Sequence, residues 1–234
     1  LGGDPIDACI TSPPYPLARP RDYGNPTAQQ YVDWFCRQIE PVVQNLRRGG
    51  NIAVNLGADV FKPHSPARSL YRERLAIAMA DRFELDQMDT IVWVNPCKPP
   101  GPIQWASKRR MQLNAGYETI HIFCNDALRS IADNRRCLLP HTERHQRLVD
   151  AGGEARTRTF SNGAYRLRPG SFGSRTDGRI ARNVVTMRHN DSDQAACREE
   201  AARLGVPAHG GLMPLGLAEL LVRFLSEEGG LVVD

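Results

Sequence analysis

Five consecutive residues, Thr11-Ser12-Pro13-Pro14-Tyr15, combine the groups needed to grip a flat ring that carries an amino group. Each proline fixes φ and lacks an N–H, which leaves nearby carbonyls free to accept hydrogen bonds. Ser12 adds a side-chain acceptor and Tyr15 a flat face. The run Ile6-Asp7-Ala8-Cys9-Ile10 before them reads as a buried parallel strand, so the five residues form a rigid ledge at its tip. A proline-rich turn after any strand would explain the same residues equally well, and the rest of the chain has to decide.

The ledge needs a sheet to carry it. Residues 28–46 have the period of an amphipathic helix, with Tyr31, Phe35, Ile39 and Val42/Val43 on one face. Pro41 bends that helix or shifts its boundary, and Gly49-Gly50 is expected to end it. Residues 51–56 read as a second strand, 70–80 as a helix and 88–94 as a third strand. Strands alternating with helices predict an α/β fold with a doubly wound, mostly parallel sheet. Asn95-Pro96-Cys97-Lys98-Pro99-Pro100-Gly101-Pro102 is a hinge that can be neither helix nor central strand.

Beyond the hinge, residues 116–123 return to a strand pattern and 129–150 are polar and partly helical. Residues 152–182 are glycine-rich and loop-like. A short strand at 184–187 and helices at 195–204 and 215–226 follow. A final strand, Leu231-Val232-Val233-Asp234, comes after Gly229-Gly230. These shifts divide the chain into a catalytic part (1–94), a hinge and recognition region with one returning strand (95–182), and a closing part of the first domain (183–234). Because it opens on a strand and closes on one, the sequence reads as a piece of a longer chain.

The net charge of +4 is unevenly spread. Residues 98–182 carry 16 basic and 7 acidic side chains, against 14 and 19 in the remainder. A basic middle between acidic flanks is the pattern of a nucleic-acid binder whose contact surface is one segment. No apolar run approaches the ~18 residues of a membrane span, and no leader pattern opens the chain. The six scattered cysteines read as reduced thiols, and the expected location is the cytoplasm.

Ser12-Pro13-Pro14-Tyr15 closely resembles the [D/N/S]-P-P-[Y/F] motif of methyltransferases that act on exocyclic amino groups in DNA. The likeness extends through Asp22-Tyr23-Gly24-Asn25 and Tyr31-Val32-Asp33-Trp34-Phe35, and includes Asn95-Pro96 with Lys98 and Trp105 beyond. These stretches look like the amino-terminal half of the PvuII-type enzymes. Residues 209–234 resemble that family's segment flanking the S-adenosylmethionine (AdoMet) site and the first strand of that site. Here His209 is followed by glycine where the family has proline, and Met213-Pro214 stands where Phe-Pro is usual. The catalytic motif precedes the cofactor segment, which is the permuted β-class order. The family continues past Asp234 with a glycine loop that wraps AdoMet.

The resemblance implies a site-specific DNA methyltransferase using AdoMet. Ser12, Pro13, Pro14 and Tyr15 would be catalytic, and Thr11, His209, Met213, Pro214 and Asp234 would line the cofactor site. An exocyclic amino nitrogen is a poor nucleophile, because its lone pair is delocalised into the ring. Fixed acceptors, here Ser12 Oγ and the Pro13 carbonyl, localise it. The base must leave the duplex to reach them and would stack on Tyr15. Serine at the first motif position is the form usual for N4-cytosine enzymes and aspartate for N6-adenine enzymes, which favours cytosine and keeps adenine as the alternative. A DNA-binding regulator without turnover, and an RNA or protein methyltransferase, are the remaining alternatives.

The implied partner is double-stranded DNA, with a cognate restriction endonuclease and a homodimer as further expectations, in a bacterial, nucleoid-associated setting. The expected DNA contacts are Lys98, Lys108, Arg109, Arg156, Arg158, Arg166, Arg168, Arg175 and Arg179, interleaved with Phe160, Tyr165 and Phe172. Cys137, His141 and His145 could share one helical face as zinc ligands, but Pro140 interrupts it and no metal is assigned. Pro96-Cys97 lacks the partners needed for covalent C5-cytosine chemistry, and Cys97 reads as a hinge residue. Trp93 and Trp105 could wall a base pocket, with core packing the better reading of Trp93.

Overall fold

A computed structural model describes residues 4–16, 24–207 and 211–234. The residues group into two compact units, Leu1–Asp133 with Arg182–Asp234, and Asn134–Ala181. The first unit is built on a six-stranded sheet. Its strands are β1 (Ile6–Thr11), β2 (Leu46–Gly57), β3 (Asp86–Val94), β4 (Tyr117–Cys124), β7 (Val184–Thr186) and β8 (Val232–Val233), and their spatial order is β7-β3-β4-β2-β1-β8. β4 runs antiparallel to both its neighbours, β2 and β3. The pairs β1–β2, β1–β8 and β3–β7 are parallel, so five strands point one way and one the other. The expected α/β sheet, mostly parallel, is present.

Helices cover both faces. On one side lie α1 (Tyr31–Gln44) and α2 (Tyr71–Phe83), whose Tyr31, Phe35, Ile39, Tyr71, Leu75 and Met79 pack on Ile52, Val54 and Leu56 of β2. On the other side α5 (Leu215–Leu225) buries Leu217, Leu221 and Leu225 against Ala8, Ile10, Ala53, Ile91 and Ile120. Strand side chains alternate between faces. β1 keeps that alternation only beyond a register irregularity between Ile6 and Ala8, and for this reason Ile6 and Cys9 share one core while Ala8 and Ile10 share the other.

Some boundaries differ from the sequence reading. Pro41 sits inside α1, and Gly49-Gly50 lies within β2 instead of ending the helix. Gly49 has φ +79°, and a Cβ there would stand 1.9 Å from the carbonyl oxygen of Arg129, so glycine permits a close crossing of two backbones. Helix α4 spans Ser192–Arg203 and is capped by Asp191, whose side chain accepts a hydrogen bond from Gln194 N at 3.0 Å. Among the described residues no helix is long and apolar enough to cross a membrane.

The second unit contains α3 (Glu143–Asp150), capped by the Thr142 hydroxyl at 3.3 Å from His145 N, and a hairpin of β5 (Arg158–Phe160) with β6 (Tyr165–Leu167). Its interior is small. Val149 and Leu167 are buried, and Gly153 and Gly173 allow close backbone packing against Gly170 and Gly152.

Candidate active site

β1 delivers the Thr11–Tyr15 ledge to the carboxyl edge of the sheet, where Pro13 and Pro16 are buried and Ser12 is exposed. Thr11 pairs with Val54 of β2, which brings the next residue of each strand, Ser12 and Asn55, side by side. Asn55 Nδ2 lies 3.4 Å from Ser12 Oγ and 2.9 Å from the Tyr15 hydroxyl. The Tyr15 hydroxyl donates to Glu118 Oε2 at 2.8 Å and lies 3.4 Å from Ser12 Oγ. Asn55 Nδ2 also reaches Glu118 Oε2, at 3.1 Å. Three strands thus contribute to one hydrogen-bonded cluster around the motif.

Glu118 is available to Tyr15 because β4 runs antiparallel to β2, with Glu118 opposite Gly57. Gly57 is where the Tyr15 ring rests: a Cβ there would stand 2.6 Å from Tyr15 Cδ2. The Tyr71 hydroxyl donates to the Gly57 carbonyl at 2.6 Å and holds this stretch of backbone. Burial, with the Glu118 carboxylate as the next cause, holds the Tyr15 hydroxyl well above the ordinary tyrosine range. It therefore stays protonated and keeps donating.

A second tier steadies Glu118. Lys98 Nζ lies 3.3 Å from Glu118 Oε1 and 3.1 Å from Asp59 Oδ2. Asp59 in turn pairs with Arg68 at 3.3 Å, and Arg68 also donates to the Ala58 carbonyl. Lys98, read from sequence as a DNA contact, is a partly buried member of this ion-pair chain. Asn55 Oδ1 is buried and has no partner among the described residues.

Of the cofactor-side residues, Asp234 follows Val233, which pairs with Cys9 of β1. Burial, with a smaller contribution from the Asp234 carboxylate, pushes the Cys9 thiol up to about 12. Asp234 therefore stands at the same sheet edge as Ser12, as the sequence reading requires. Met213 is half-buried against the α5 core and its carbonyl accepts from Gln194 Nε2 at 3.2 Å, while Pro214 is buried at the start of α5. His209 lies outside the described residues.

Trp93 is a core residue whose indole N–H donates to the Met187 carbonyl at 2.9 Å. Trp105 is half-buried in the β3–β4 connection, where Lys108 and Arg109 are exposed. In the second unit Arg156, Arg158, Arg166 and Arg168 are exposed, Arg175 pairs with Asp150 at 3.6 Å, and Arg179 donates to the Pro140 carbonyl at 3.1 Å. Phe160 and Tyr165 are exposed across the hairpin, with ring centroids 6.0 Å apart. The Cys137–His141–His145 trio does not share a helical face: Cys137 is in a 3₁₀ turn, His141 precedes the helix cap and His145 is in α3. No group of three or more residues able to hold a metal is found among the described residues.

Asn55, Gly57 and Glu118 are absent from the sequence-derived site. An asparagine within an otherwise apolar central strand was the available signal; the pairing of Glu118 with Gly57 depends on strand register and had none.

Known proteins are similar to this chain in sequence and fold. The profile of a DNA methylase family, the N6/N4 methyltransferases, matches residues 6–234. The type II methyltransferase M.PvuII of Proteus hauseri is 30% identical over 232 residues, covering 98% of this chain and 67% of the relative. The solved structure of PvuII DNA methyltransferase (cytosine-N4-specific) superposes with a TM-score of 0.69 at 24% identity, covering 99% of this chain and 67% of that one. With the motif, the sheet and the site now placed, the chain belongs to the N6/N4 DNA methylase family, AdoMet-dependent enzymes that methylate exocyclic amino groups in DNA.

Proposed function

We propose that this chain carries the catalytic centre of an enzyme that methylates N4 of a cytosine extruded from duplex DNA. The observation that carries the reading is Ser12 at the tip of β1, tied to Asn55 and Tyr15 and, through them, to Glu118. Serine at the first motif position and the cytosine-N4 specificity of the PvuII enzyme both favour cytosine.

Ser12 Oγ and the Pro13 carbonyl accept the two N–H bonds of the target amino group, and the Tyr15 ring, seated on Gly57, stacks on the base. AdoMet supplies the electrophilic methyl group when bound. The open carboxylate of Asp234 beside β1 fits its hydroxyl and ammonium groups. Thr11, Met213 and Pro214 are proposed to bind it as well, with His209 added by the family resemblance alone. Chemistry of this kind depends chiefly on holding donor and acceptor in line. The ion-pair chain behind Glu118 serves that end.

Residues 95–182 are the proposed hinge and recognition region, with the exposed arginines of the second unit on DNA phosphates or base edges. A restriction endonuclease of matching site specificity is the expected companion. A homodimer and a cytoplasmic, nucleoid-associated location complete the proposal.

The test is transfer of labelled methyl from AdoMet to duplex DNA by the full-length protein, followed by digestion to nucleosides. N4-methylcytosine is the expected product. N6-methyladenine would move the assignment to adenine, and no labelled nucleoside would remove the catalytic reading.

A further inference from the structure

The connection between β3 and β4 projects apolar side chains into solvent beside the site. Ile103 is 62% exposed, Met111 61% and Leu113 89%. Between them stand the consecutive exposed cations Lys108, Arg109 and Arg110. Three exposed apolar side chains in one short connection, with three cations between them, make it a candidate contact.

The segment is not slack. Its feet are tied by Asn95 N to Gly116 O at 2.9 Å and Ala115 N to Gly101 O at 2.8 Å. A π-helical turn, Ile103–Lys108, is closed by Arg109 N to Gln104 O at 3.0 Å, and Met111 N bonds Trp105 O at 2.8 Å. Gln112 Nε2 pins it to the Pro66 carbonyl at 2.6 Å, and Ala106 and Ala115 are buried beneath it. The three apolar side chains are therefore held outward by a hydrogen-bonded frame.

Its place is fixed as well. β3 ends and β4 begins at the sheet edge where β1 delivers Ser12, and Lys98 of this same connection pairs with the Glu118 that holds Tyr15. A base drawn out of a duplex toward Ser12 leaves a hole in the stack near this edge. Proteins that open a base step commonly insert leucine, isoleucine or methionine, with basic side chains on the flanking phosphates.

We propose that residues 103–113 enter the duplex, with Leu113 as the wedge that fills the vacated stack, Ile103 and Met111 supporting it, and Lys108, Arg109 and Arg110 on the phosphates. The proposal rests on the reading of the chain as a base-extruding DNA methyltransferase. The chemistry points to duplex DNA because the apolar tips are interleaved with three cations and adjoin the motif that must receive the base.

The experiment compares wild-type full-length protein with Leu113→Ala in single-turnover methyl transfer. One substrate is a paired duplex carrying the recognised site; the other is the same duplex with an abasic position opposite the target base. At 89% exposure Leu113 lies outside the core, so its truncation leaves the fold intact. On the paired duplex the variant is expected to be roughly tenfold slower, because unstacking a base step is costly without the wedge. On the abasic-opposed duplex, already open, the two proteins should agree within about twofold. Equal rates on the paired duplex, or equal slowing on both substrates, would overturn the wedge. So would loss of a self-associated form of the protein in Leu113→Ala with unchanged rates, which would give the patch to a protein partner. Absence of transfer by the wild type would remove the underlying reading and the wedge together.

Discussion

At the scale of single residues, the site separates groups that touch the base from groups that aim them. Ser12 is exposed at the tip of β1 and Tyr15 presents its ring beside it, whereas Asn55 and Glu118 form the scaffold behind them. Ser12→Ala removes an acceptor needed chiefly as the amino nitrogen attacks. Turnover of the bound complex should fall on the order of 10²-fold, the loss typical of deleting one such polar group, with DNA affinity nearly unchanged. Loss of binding with intact turnover would show that Ser12 serves affinity. Glu118→Ala removes no group proposed to meet the substrate, but it takes one partner from the Tyr15 hydroxyl and one from Lys98, which keep only Asn55 and Ser12 on the one hand and Asp59 on the other. A loss of roughly tenfold in turnover is expected from the looser geometry. Glu118→Gln keeps an oxygen for Tyr15 and should recover most of the loss, so the pair of variants tests positioning against a merely structural role. Wild-type turnover in Glu118→Ala would dissociate the network from catalysis.

At the scale of elements, α1, α2, α5 and β3 were legible from their periodicities, and β1 from a short apolar run that is buried on both faces. The antiparallel course of β4 was not, because an isolated strand does not reveal its direction. That direction is what places Glu118 over Gly57, and so the scaffold of the site stayed hidden while its motif was plain. Gly49-Gly50 misled for a related reason: a glycine pair reads as a helix stop, and the close backbone of Arg129 is invisible from local sequence. Gly57 provides the test at this scale. In Gly57→Ala the new methyl group would lie 2.6 Å from a ring whose hydroxyl is anchored at the far end by Glu118 and Asn55. Overpacking of this kind costs about 1–3 kcal/mol. Denaturant midpoint and turnover should therefore fall together, and an unchanged value of both would show that the ring is free to move aside.

At the scale of the whole molecule, cations are concentrated in the middle of the sequence and the methyl-transfer chemistry in the sheet. Arg166 and Arg168 stand exposed on the second unit. Their joint replacement by alanine should weaken DNA binding and lower the slope of log affinity against log salt by about 2, since each phosphate contact contributes about 0.9. An unchanged slope would place both side chains away from phosphate. The pairing of β8 with β1 bears on time as well as space. Cys9 and Val233 meet although they come from opposite ends of the sequence, whereas β1, α1, β2, α2 and β3 succeed one another locally. Contacts across long separations form late, because the loop they close is long. During synthesis the Ser-Pro-Pro-Tyr ledge emerges before β8 and waits for it. Until α5 and β8 emerge, β1 lacks both the cover over Ala8 and Ile10 and its outer neighbour, so the ledge cannot take its final place on a half-made protein.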